Sequence, residues 1–326
     1  MEVNKIYQGD CIEVLKTLPE ESINCIMTSP PYWSLRDYGI KGQLGLESTF
    51  QEYIKKLCDI FDGVKRVLRK DGTCWVNIGD TYIGNGVSRH KGWSDPKNPK
   101  KGEIDYDEPS AMPQNIIEKN LANIPARFSI EMQERGWILR NVIIWHKPNA
   151  MPCSVKDRFT VDFEYLFLFT KNKIYAFNQQ LEVAVEEYSP ERAKRPETSR
   201  MKAIHSSGKP AGNFTTNKLR PDGMKNMRSV WKINTLPCKE AHFATYPEAL
   251  CDTPIKAGCP EKGIVLDPFF GAGTTGIVAL KQDKKFIGIE LNPKYIEIAN
   301  KRLKPYLEQH KLISADFSTE SVKEKQ

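Results

Sequence analysis

One ten-residue segment, DPFFGAGTTG at 267–276, constrains the fold of this 326-residue chain more than any other. It follows a hydrophobic strand predicted over 263–266 and leads into a helix predicted over 274–280, and Glu290 follows the strand predicted next. Its glycines fit the pattern GxGxxG, which allows a tight turn and a close approach of the backbone to a ligand: Gly271, Gly273 and Gly276. Such a turn can also serve only to pack a helix against a strand. The context favours a site for an adenosine-containing cofactor, with the acid on a ribose hydroxyl.

The position of this turn near the end of the chain predicts an unusual strand order. A nucleotide-binding half needs three consecutive parallel strands. After Glu290 there is room for only one helix, predicted over 293–303, before a polar tail at 314–326 that we expect to be frayed. The third strand is therefore expected at the N-terminus, over 4–7, with Asp10 near its carboxyl end beside the cofactor. This permuted order counts against a dehydrogenase, whose dinucleotide-binding half is normally contiguous.

The rest of the chain alternates short apolar strands with amphipathic helices, which indicates a mostly parallel α/β sheet with helices on both faces. The predicted strands lie at 22–28, 73–78 (after a turn at Asp71-Gly72), 138–145, 163–169 and 285–289, and the predicted helices at 50–69 and 121–134. A polar segment at 82–113, rich in Gly, Lys, Asp and Pro, predicts a long surface loop.

Hydrophobicity and cysteine usage exclude several classes of protein. The longest apolar run, at 165–169, is far shorter than the roughly 20 residues of a membrane span. The first ten residues, MEVNKIYQGD, contain no apolar region after a basic stretch, so no secretory signal is expected. Eight cysteines are scattered without a CxxC pair or a metal-ligand spacing, as is typical of reduced thiols in a cytosolic protein. We therefore expect a cytoplasmic protein without a metal site.

The excess positive charge lies in one stretch of the chain. The net charge is +7, and residues 192–232 contain 11 Lys or Arg against two acids. The stretch is rich in Gly, Ser, Thr, Asn and Pro, so it is either a solvated, flexible insert or a segment that binds a polyanion. The charge pattern alone leaves both possibilities open.

The strand predicted at 22–28 runs directly into the tetrad Ser29-Pro30-Pro31-Tyr32. The two prolines fix φ and remove two backbone donors, so the carbonyls of Ser29 and Pro30 have no neighbouring N–H to compete with a ligand. A hydroxyl, a rigid carbonyl and an aromatic face at the end of a strand suit the binding of a planar amine. Taken by itself, the tetrad could equally be a rigid proline turn.

Eight segments that include the tetrad and the glycine turn are spread over residues 8–299: QGDCIEVLKTLP (8–19), TSPPYWSLRDYG (28–39), GTCWVNIGD (72–80), RNVIIWHKPNAMPCSVKDRF (140–159), EYLFLF (164–169), HFATYPEAL (242–250), DPFFGAGTT (267–275) and FIGIELNPKYIEIA (286–299). By these segments and their order, the chain resembles the exocyclic-amine DNA methyltransferases of the beta group. This group contains the N4-cytosine and N6-adenine enzymes of restriction-modification systems, in which the SPPY-type catalytic motif precedes the cofactor motif.

The resemblance implies a permuted Rossmann-like sheet that binds S-adenosyl-L-methionine and carries an inserted target-recognition region. The catalytic half is then expected over 1–172, the target-recognition region over 173–232 and the cofactor-binding half over 233–313, before the tail at 314–326. Since the target-recognition region includes the basic stretch, the resemblance favours double-stranded DNA as its polyanion. A cognate restriction endonuclease acting separately is one partner that the resemblance allows, and an enzyme without such a partner is the alternative that the sequence leaves open.

The resemblance also implies site residues. The cofactor-binding residues are Asp10, Cys11, Ser29, Phe243, Pro247, Glu248, Asp267, Phe269, Gly271, Gly273, Thr274 and Glu290. The DNA-binding residues are Arg192, Lys194, Arg195, Arg200, Lys202, Lys209, Lys218, Arg220, Lys225 and Arg228. The catalytic residues are Ser29, Pro30, Pro31 and Tyr32.

The chemistry of the amine suggests a role for each residue of the tetrad. The target base must flip out of the duplex, since its amine is otherwise paired. Ser29 and the Pro30 carbonyl would then accept hydrogen bonds from the amine, and Tyr32 would stack on the base. In the resembling family, Ser at the first position usually accompanies cytosine, which predicts N4 methylation, whereas an acid or Asn usually accompanies adenine N6. Adenine remains the alternative.

Three other functions explain less of the sequence. Carbon-5 cytosine methylation needs a cysteine nucleophile, commonly after a proline, and neither Pro152-Cys153 nor Pro237-Cys238 follows the expected strand end. A nicotinamide-dependent dehydrogenase would share the glycine turn but leave the tetrad and the basic stretch unexplained. A DNA-binding protein without catalytic activity would leave the cofactor turn unexplained.

Overall fold

The computed structural model describes residues 1–35, 37–83, 117–183, 224–235 and 246–323. Its strands are β1 (Lys5–Gln8), β2 (Ile23–Thr28), β3 (Leu68–Ile78), β4 (Ile138–His146), β5 (Phe163–Thr170), β6 (Leu181–Val183), β7 (Met224–Asn226), β8 (Val230–Lys232), β9 (Ile264–Asp267) and β10 (Lys285–Glu290). Its helices are α1 (Cys11–Thr17), α2 (Phe50–Val67), α3 (Ile124–Glu134), α4 (Glu248–Gly258), α5 (Thr274–Lys281) and α6 (Pro293–Lys323).

Eight of these strands form one sheet in the order β1-β10-β9-β2-β3-β5-β4-β8. The first strand of the chain pairs in parallel with β10, from Lys5 opposite Ile287 to Gln8 opposite Glu290. The strands from β1 to β3 in this order are all parallel, whereas β5 runs antiparallel to both β3 and β4. The permuted, mostly parallel sheet expected from the sequence is therefore confirmed.

Helices cover both faces of the sheet, which explains why its central strands are apolar on both sides. On one face α2 contacts α1 and α3, and on the other α5 contacts α4 and α6. Helix α2 has the 3-4 spacing of an amphipathic helix, and its apolar stripe is buried: Tyr53, Ile54, Leu57, Phe61 and Val64. The core is therefore built by the same periodic positions that predict the elements.

Two local predictions were wrong. The turn predicted at Asp71-Gly72 lies within β3, where the register against β2 shifts between Ile23 and Cys25. The residues of β3 that have no partner in β2 form an irregularity within one continuous strand, so the chain makes no turn there. The tail predicted to be frayed is helical as far as Lys323, because no glycine and no proline after Pro305 ends helix α6.

The structure divides into two compact units. The first comprises residues 1–178 and 229–326, and the second comprises residues 179–228. In the second unit the described residues form the antiparallel pair β6–β7. Strand β8, inside the stretch predicted for target recognition, belongs instead to the first unit, at the edge of the main sheet. Residues 184–223 and most of the polar segment at 82–113 lie outside the described residues.

Candidate active site

A cavity of about 1140 Å³ lies in the first unit. Strands β1, β2, β9 and β10 are parallel, so their carboxyl ends lie at one edge of the sheet, where open α/β sheets bind ligands. The residues after each of these four strands line the cavity: Gly9 to Ile12 after β1, Ser29 to Tyr32 after β2, Pro268 to Ala272 after β9, and Glu290 to Asn292 at the end of β10. The cavity thus joins the glycine turn to the proline tetrad.

Glu290 enters the cavity in a fixed orientation. The Gly271 amide donates to its Oε2 at 2.7 Å, and the Asn292 amide donates to its Oε1 at 2.7 Å. Burial raises the pKa of this carboxyl above the ordinary value for glutamate. Each oxygen has a second lone pair, so the group can still accept from a ligand hydroxyl.

The glycine turn depends on two left-handed residues. Gly271 has φ +50° and lines the cavity, and a Cβ there would meet only the Phe269 carbonyl oxygen at 4.0 Å. Gly273 has φ +82° at the start of α5, and a Cβ there would lie 3.0 Å from the Cβ of Ala299 in α6. A glycine is therefore required at 271 by the backbone conformation, whereas at 273 it is required both by the backbone conformation and by the packing of α5 against α6.

Asp267 does not line the cavity but organises the turn from beneath it. Its buried carboxylate accepts from Thr28 Oγ1 at 2.5 Å, Thr275 Oγ1 at 2.6 Å and Tyr246 Oη at 2.9 Å. It also accepts from the Phe269 amide at 3.0 Å, and burial raises its pKa. Since Thr28 directly precedes the tetrad, this carboxylate connects the glycine turn to the end of β2.

All four residues of the tetrad at 29–32 line the cavity. The Tyr53 hydroxyl donates to the Pro31 carbonyl at 2.8 Å and so fixes the tetrad to α2. Two glycines give Tyr32 its room: a Cβ at Gly45 would lie 2.9 Å from the Tyr32 carbonyl oxygen, and a Cβ at Gly79 would lie 2.6 Å from its ring.

A polar cluster that sequence analysis did not identify surrounds the Tyr32 hydroxyl. This hydroxyl donates to Glu164 Oε2 at 2.6 Å, and Asn77 Nδ2 donates to the same oxygen at 3.0 Å. Lys147 forms an ion pair with Glu164, and Ser29 Oγ donates to Tyr32 Oη at 3.4 Å. Burial and, after it, the Glu164 charge hold the pKa of the Tyr32 phenol well above its ordinary value.

The members of this polar cluster leave only faint signals in the sequence. Asn77 interrupts the apolar run of β3, Lys147 directly follows β4, and Glu164 is the second residue of β5. A polar residue at such a position indicates a site only when its neighbours across the sheet are known. Because β5 lies between β3 and β4, the three residues meet around Tyr32.

The other predicted cofactor residues are divided between the cavity and its surroundings. Asp10, Cys11, Phe269 and Thr274 line the cavity. Asp10 also caps α1 by accepting from the Ile12 amide at 2.9 Å, and burial raises the pKa of the Cys11 thiol to about 12.

Besides Asp267 and Gly273, two further predicted residues lie outside the cavity wall. Pro247 is buried at the start of α4, and Glu248 forms a partly exposed ion pair with Lys281 at 2.6 Å. Phe243 lies outside the described residues.

Little of the predicted DNA-binding set is within the described residues. Lys225 and Arg228 both approach Glu182 in the second unit, at 3.5 and 4.0 Å. The other eight residues lie in the undescribed range 184–223. Among the described residues no group of three or more His, Cys, Asp or Glu could hold a metal ion. In the same part of the chain no helix is long and apolar enough to cross a membrane.

Comparison with known sequences gives a consistent result. The model of a family described as DNA methylase, N6_N4_Mtase, matches residues 23–301. The chain is 42% identical over 300 residues to the type II methyltransferase M.Cfr9I of Citrobacter freundii, covering 91% of this chain and 87% of the relative. It is 40% identical over 300 residues to the type II methyltransferase M.SmaI of Serratia marcescens, covering 92% and 90%.

Solved structures share the fold. The PvuII DNA methyltransferase (cytosine-N4-specific) aligns with a TM-score of 0.60 at 20% identity, over 92% of this chain and 86% of that one. The protein TTHA0409 of Thermus thermophilus, complexed with S-adenosyl-L-methionine, aligns with a TM-score of 0.55 at 21% identity, over 92% and 95%. At these identities the likeness establishes the fold.

Proposed function

This chain belongs to the N6/N4 DNA methylase family, and we propose that it transfers a methyl group from S-adenosyl-L-methionine to the exocyclic N4 amine of a flipped cytosine in duplex DNA. One observation carries the proposal. The glycine turn with Glu290 and the tetrad at 29–32 line the same cavity, so a cofactor and a base can meet there.

The residues at the glycine turn fit S-adenosyl-L-methionine. Glu290 is partly buried, held by two backbone amides and left with acceptor capacity, as a pair of ribose hydroxyls requires. Asp10 and Cys11 lie on the β1 side of the cavity, which suits an adenine, and Phe269 and Gly271 on the β9 side suit the methionine part. When bound, the cofactor supplies an electrophilic methyl group on a sulfonium sulfur.

The tetrad is suited to making a conjugated amine nucleophilic. Ser29 and the Pro30 carbonyl would each accept from one N–H of the amine, which favours a pyramidal nitrogen with its lone pair directed at the methyl group. Tyr53 engages the Pro31 carbonyl, so the loop geometry is set before substrate arrives. Tyr32 would stack on the base, with its ring oriented by Asn77 and Glu164.

The choice of cytosine rests on Ser29. In the resembling family, Ser before PPY usually accompanies cytosine. Both bases present an exocyclic NH₂ group, so the cofactor half of the cavity does not discriminate between them. Adenine N6 is therefore an outcome of the test.

We further propose that residues 173–232 recognise the target sequence and that a restriction endonuclease acts as a separate partner. The second point is motivated by relatives named as type II methyltransferases, whereas another relative is named an orphan methyltransferase, so an enzyme without such a partner is the alternative. The 11 basic residues between 192 and 232 support the part of the first point that concerns DNA binding, since each phosphate contact by Lys or Arg releases counterions.

The test is to incubate the purified protein with genomic DNA from an unmodified host and methyl-labelled S-adenosyl-L-methionine. Nucleosides are then identified by mass spectrometry, and sequencing with modified-base detection locates the site. Labelled N4-methylcytosine is expected. Labelled N6-methyladenine would contradict only the choice of base, whereas no transfer by folded, cofactor-binding protein on DNA from several hosts would contradict the activity.

A further inference from the structure

The loop at 147–162 connects β4 to β5 at the same sheet edge as the cavity. Strand β5 begins where β3 ends, with Ile78 opposite Tyr165, and β4 ends beside it, with His146 opposite Phe163. Lys147 and Asn149 in the first part of the loop line the cavity. The loop therefore rises directly from the wall of the site proposed to hold the flipped base.

The base of this loop is held in place. The Lys147 amide donates to the Asp162 carbonyl at 2.7 Å and closes the stem. Asn149 donates through Nδ2 to the Thr235 carbonyl at 2.9 Å, and the Thr235 amide donates to Asn149 Oδ1 at 2.9 Å. The segment between these anchors is thus presented in a defined position.

Two large apolar side chains of this loop are almost fully exposed. Phe159 is 95% exposed and Met151 is 88% exposed, the two highest values among the exposed large hydrophobic residues that the structure describes. Single exposed apolar residues are common on protein surfaces. These two lie on one anchored loop beside an active-site cavity, and this placement indicates a surface that contacts a ligand.

The charges around Phe159 suit a polyanion. Lys156 and Arg158 precede it, and the intervening acid, Asp157, is paired with Lys119 at 2.8 Å. The Arg158 guanidinium lies 3.7 Å from the centre of the Tyr82 ring, which supports this side of the loop. An exposed aromatic ring among cations matches a nucleic acid, which offers both phosphates and base faces.

We propose that Phe159, on the same loop as Met151, enters the base stack of duplex DNA when the target base moves into the cavity. Extruding a base breaks its stacking and leaves a gap, and an apolar side chain that fills the gap replaces part of the lost stacking. This inference rests on the proposed function. It assigns to loop 147–162 a role different from that of the basic stretch at 192–232, whose cations would contact phosphates without entering the stack.

The test compares Phe159→Ala with Ile174→Ala. Ile174 is 86% exposed, but it follows β5 at the opposite edge of the sheet, where Thr170 pairs with Thr73. Single-turnover methylation is measured on a duplex carrying the site found by modified-base sequencing. It is measured again on the same duplex with an abasic position opposite the target base, where stacking is already weakened.

We expect Phe159→Ala to slow methylation of the paired duplex about tenfold or more. On the duplex with the abasic position, Phe159→Ala should be slower than the wild type by less than about threefold, because less stacking is lost when the target base leaves that duplex. Ile174→Ala should match the wild type on both duplexes. Since Phe159 is exposed, its removal should leave the thermal unfolding midpoint and the affinity for S-adenosyl-L-methionine unchanged.

Other results would overturn the role of Phe159. A variant as fast as the wild type, or one equally slow on both duplexes, means that Phe159 does not act in unstacking. A dimer in sedimentation that Phe159→Ala converts to a monomer means that a second copy of the chain covers this loop. Wild-type protein that methylates no genomic DNA, and so gives no site for these duplexes, would contradict the proposed function itself, which distinguishes the two failures.

Discussion

At the scale of single residues, Glu290 shows how backbone amides prepare a carboxylate for a ligand. Its two oxygens are each held by an amide at 2.7 Å, from Gly271 and Asn292, although burial opposes ionisation. A carboxylate in this setting has its orientation fixed before binding, so little side-chain entropy is lost when a ligand arrives.

Glu290→Ala should weaken binding of S-adenosyl-L-methionine by at least about tenfold, because hydrogen bonds to a charged group are each worth about 1.5–3 kcal/mol. Isothermal titration calorimetry measures the change. Glu13→Ala is the matched control, since Glu13 forms an exposed ion pair with Lys16 on α1 and does not line the cavity, and the affinity of this variant should equal that of the wild type. Unchanged affinity in Glu290→Ala would mean that the ribose lies elsewhere.

The affinity for the cofactor should also depend on pH through Glu290. Burial raises the pKa of its carboxyl, so on acidification it takes up a proton at a higher pH than an ordinary glutamate does. Because protonation removes an acceptor, affinity should be full above the raised pKa and fall as the pH drops through it. Calorimetry of Glu290→Gln over the same range should show weak binding without this decline. A parallel decline in the variant would assign the titration to another group.

The polar cluster around Tyr32 should behave as a coupled unit. Lys147 and Glu164 are mostly buried, at 19% and 15% side-chain exposure, so Glu164→Gln leaves a cation without its partner. We expect it to lower the free energy of unfolding by about 1–3 kcal/mol and to slow methyl transfer through misplacement of Tyr32. In urea unfolding, the double variant Glu164→Gln with Lys147→Met should lose less free energy of unfolding than the sum of the losses in the two single variants. Additive effects would show that the residues act independently.

At the scale of elements, the turn between β9 and α5 has separate requirements for folding and for binding. Gly273→Ala places a methyl group at a positive φ and 3.0 Å from Ala299, whereas Gly271→Ala meets only the conformational cost of about 1–2 kcal/mol. Gly273→Ala should therefore lower the free energy of unfolding more. Gly271→Ala should weaken cofactor binding more, because Gly271 lines the cavity and Gly273 does not. Urea unfolding and calorimetry on both variants test this prediction. If the same variant were the more affected in both measurements, the prediction would be contradicted.

At the scale of the whole molecule, the net charge of +7 is concentrated in residues 192–232. Replacing Lys or Arg there with Ala should weaken DNA binding and lower the slope of log affinity against log salt by roughly 0.9 for each phosphate that is no longer neutralised. Binding of S-adenosyl-L-methionine should not change. Replacing Lys16 and Lys55, which lie on α1 and α2 and form exposed ion pairs within their own helices, is the control. An unchanged slope after several substitutions within 192–232 would identify the stretch as a solvated insert.

Local patterns in the sequence determined most of the fold. Strand periodicity predicted the strands of the main sheet apart from β1 and β8, whereas helices α1 and α4 were not predicted. The glycine turn with a single helix after Glu290 predicted that a strand at the N-terminus would join the last strand. Such features depend on neighbouring residues and on simple counting of strands, so no knowledge of distant contacts was needed. The same reasoning identified Glu290 and the tetrad at 29–32 as candidates, since each directly follows a strand.

Tertiary structure alone decided which distant residues complete the site. Tyr32, Asn77 and Glu164 are far apart in sequence and meet only because β5 inserts antiparallel between β3 and β4. Asp267 lies in a recognisable motif, yet its carboxylate is directed into the core because three hydroxyl groups from separate segments converge on it. Periodicity reports which face of an element is buried, but the partners on that face depend on strand order, and strand order is settled by packing of the whole sheet.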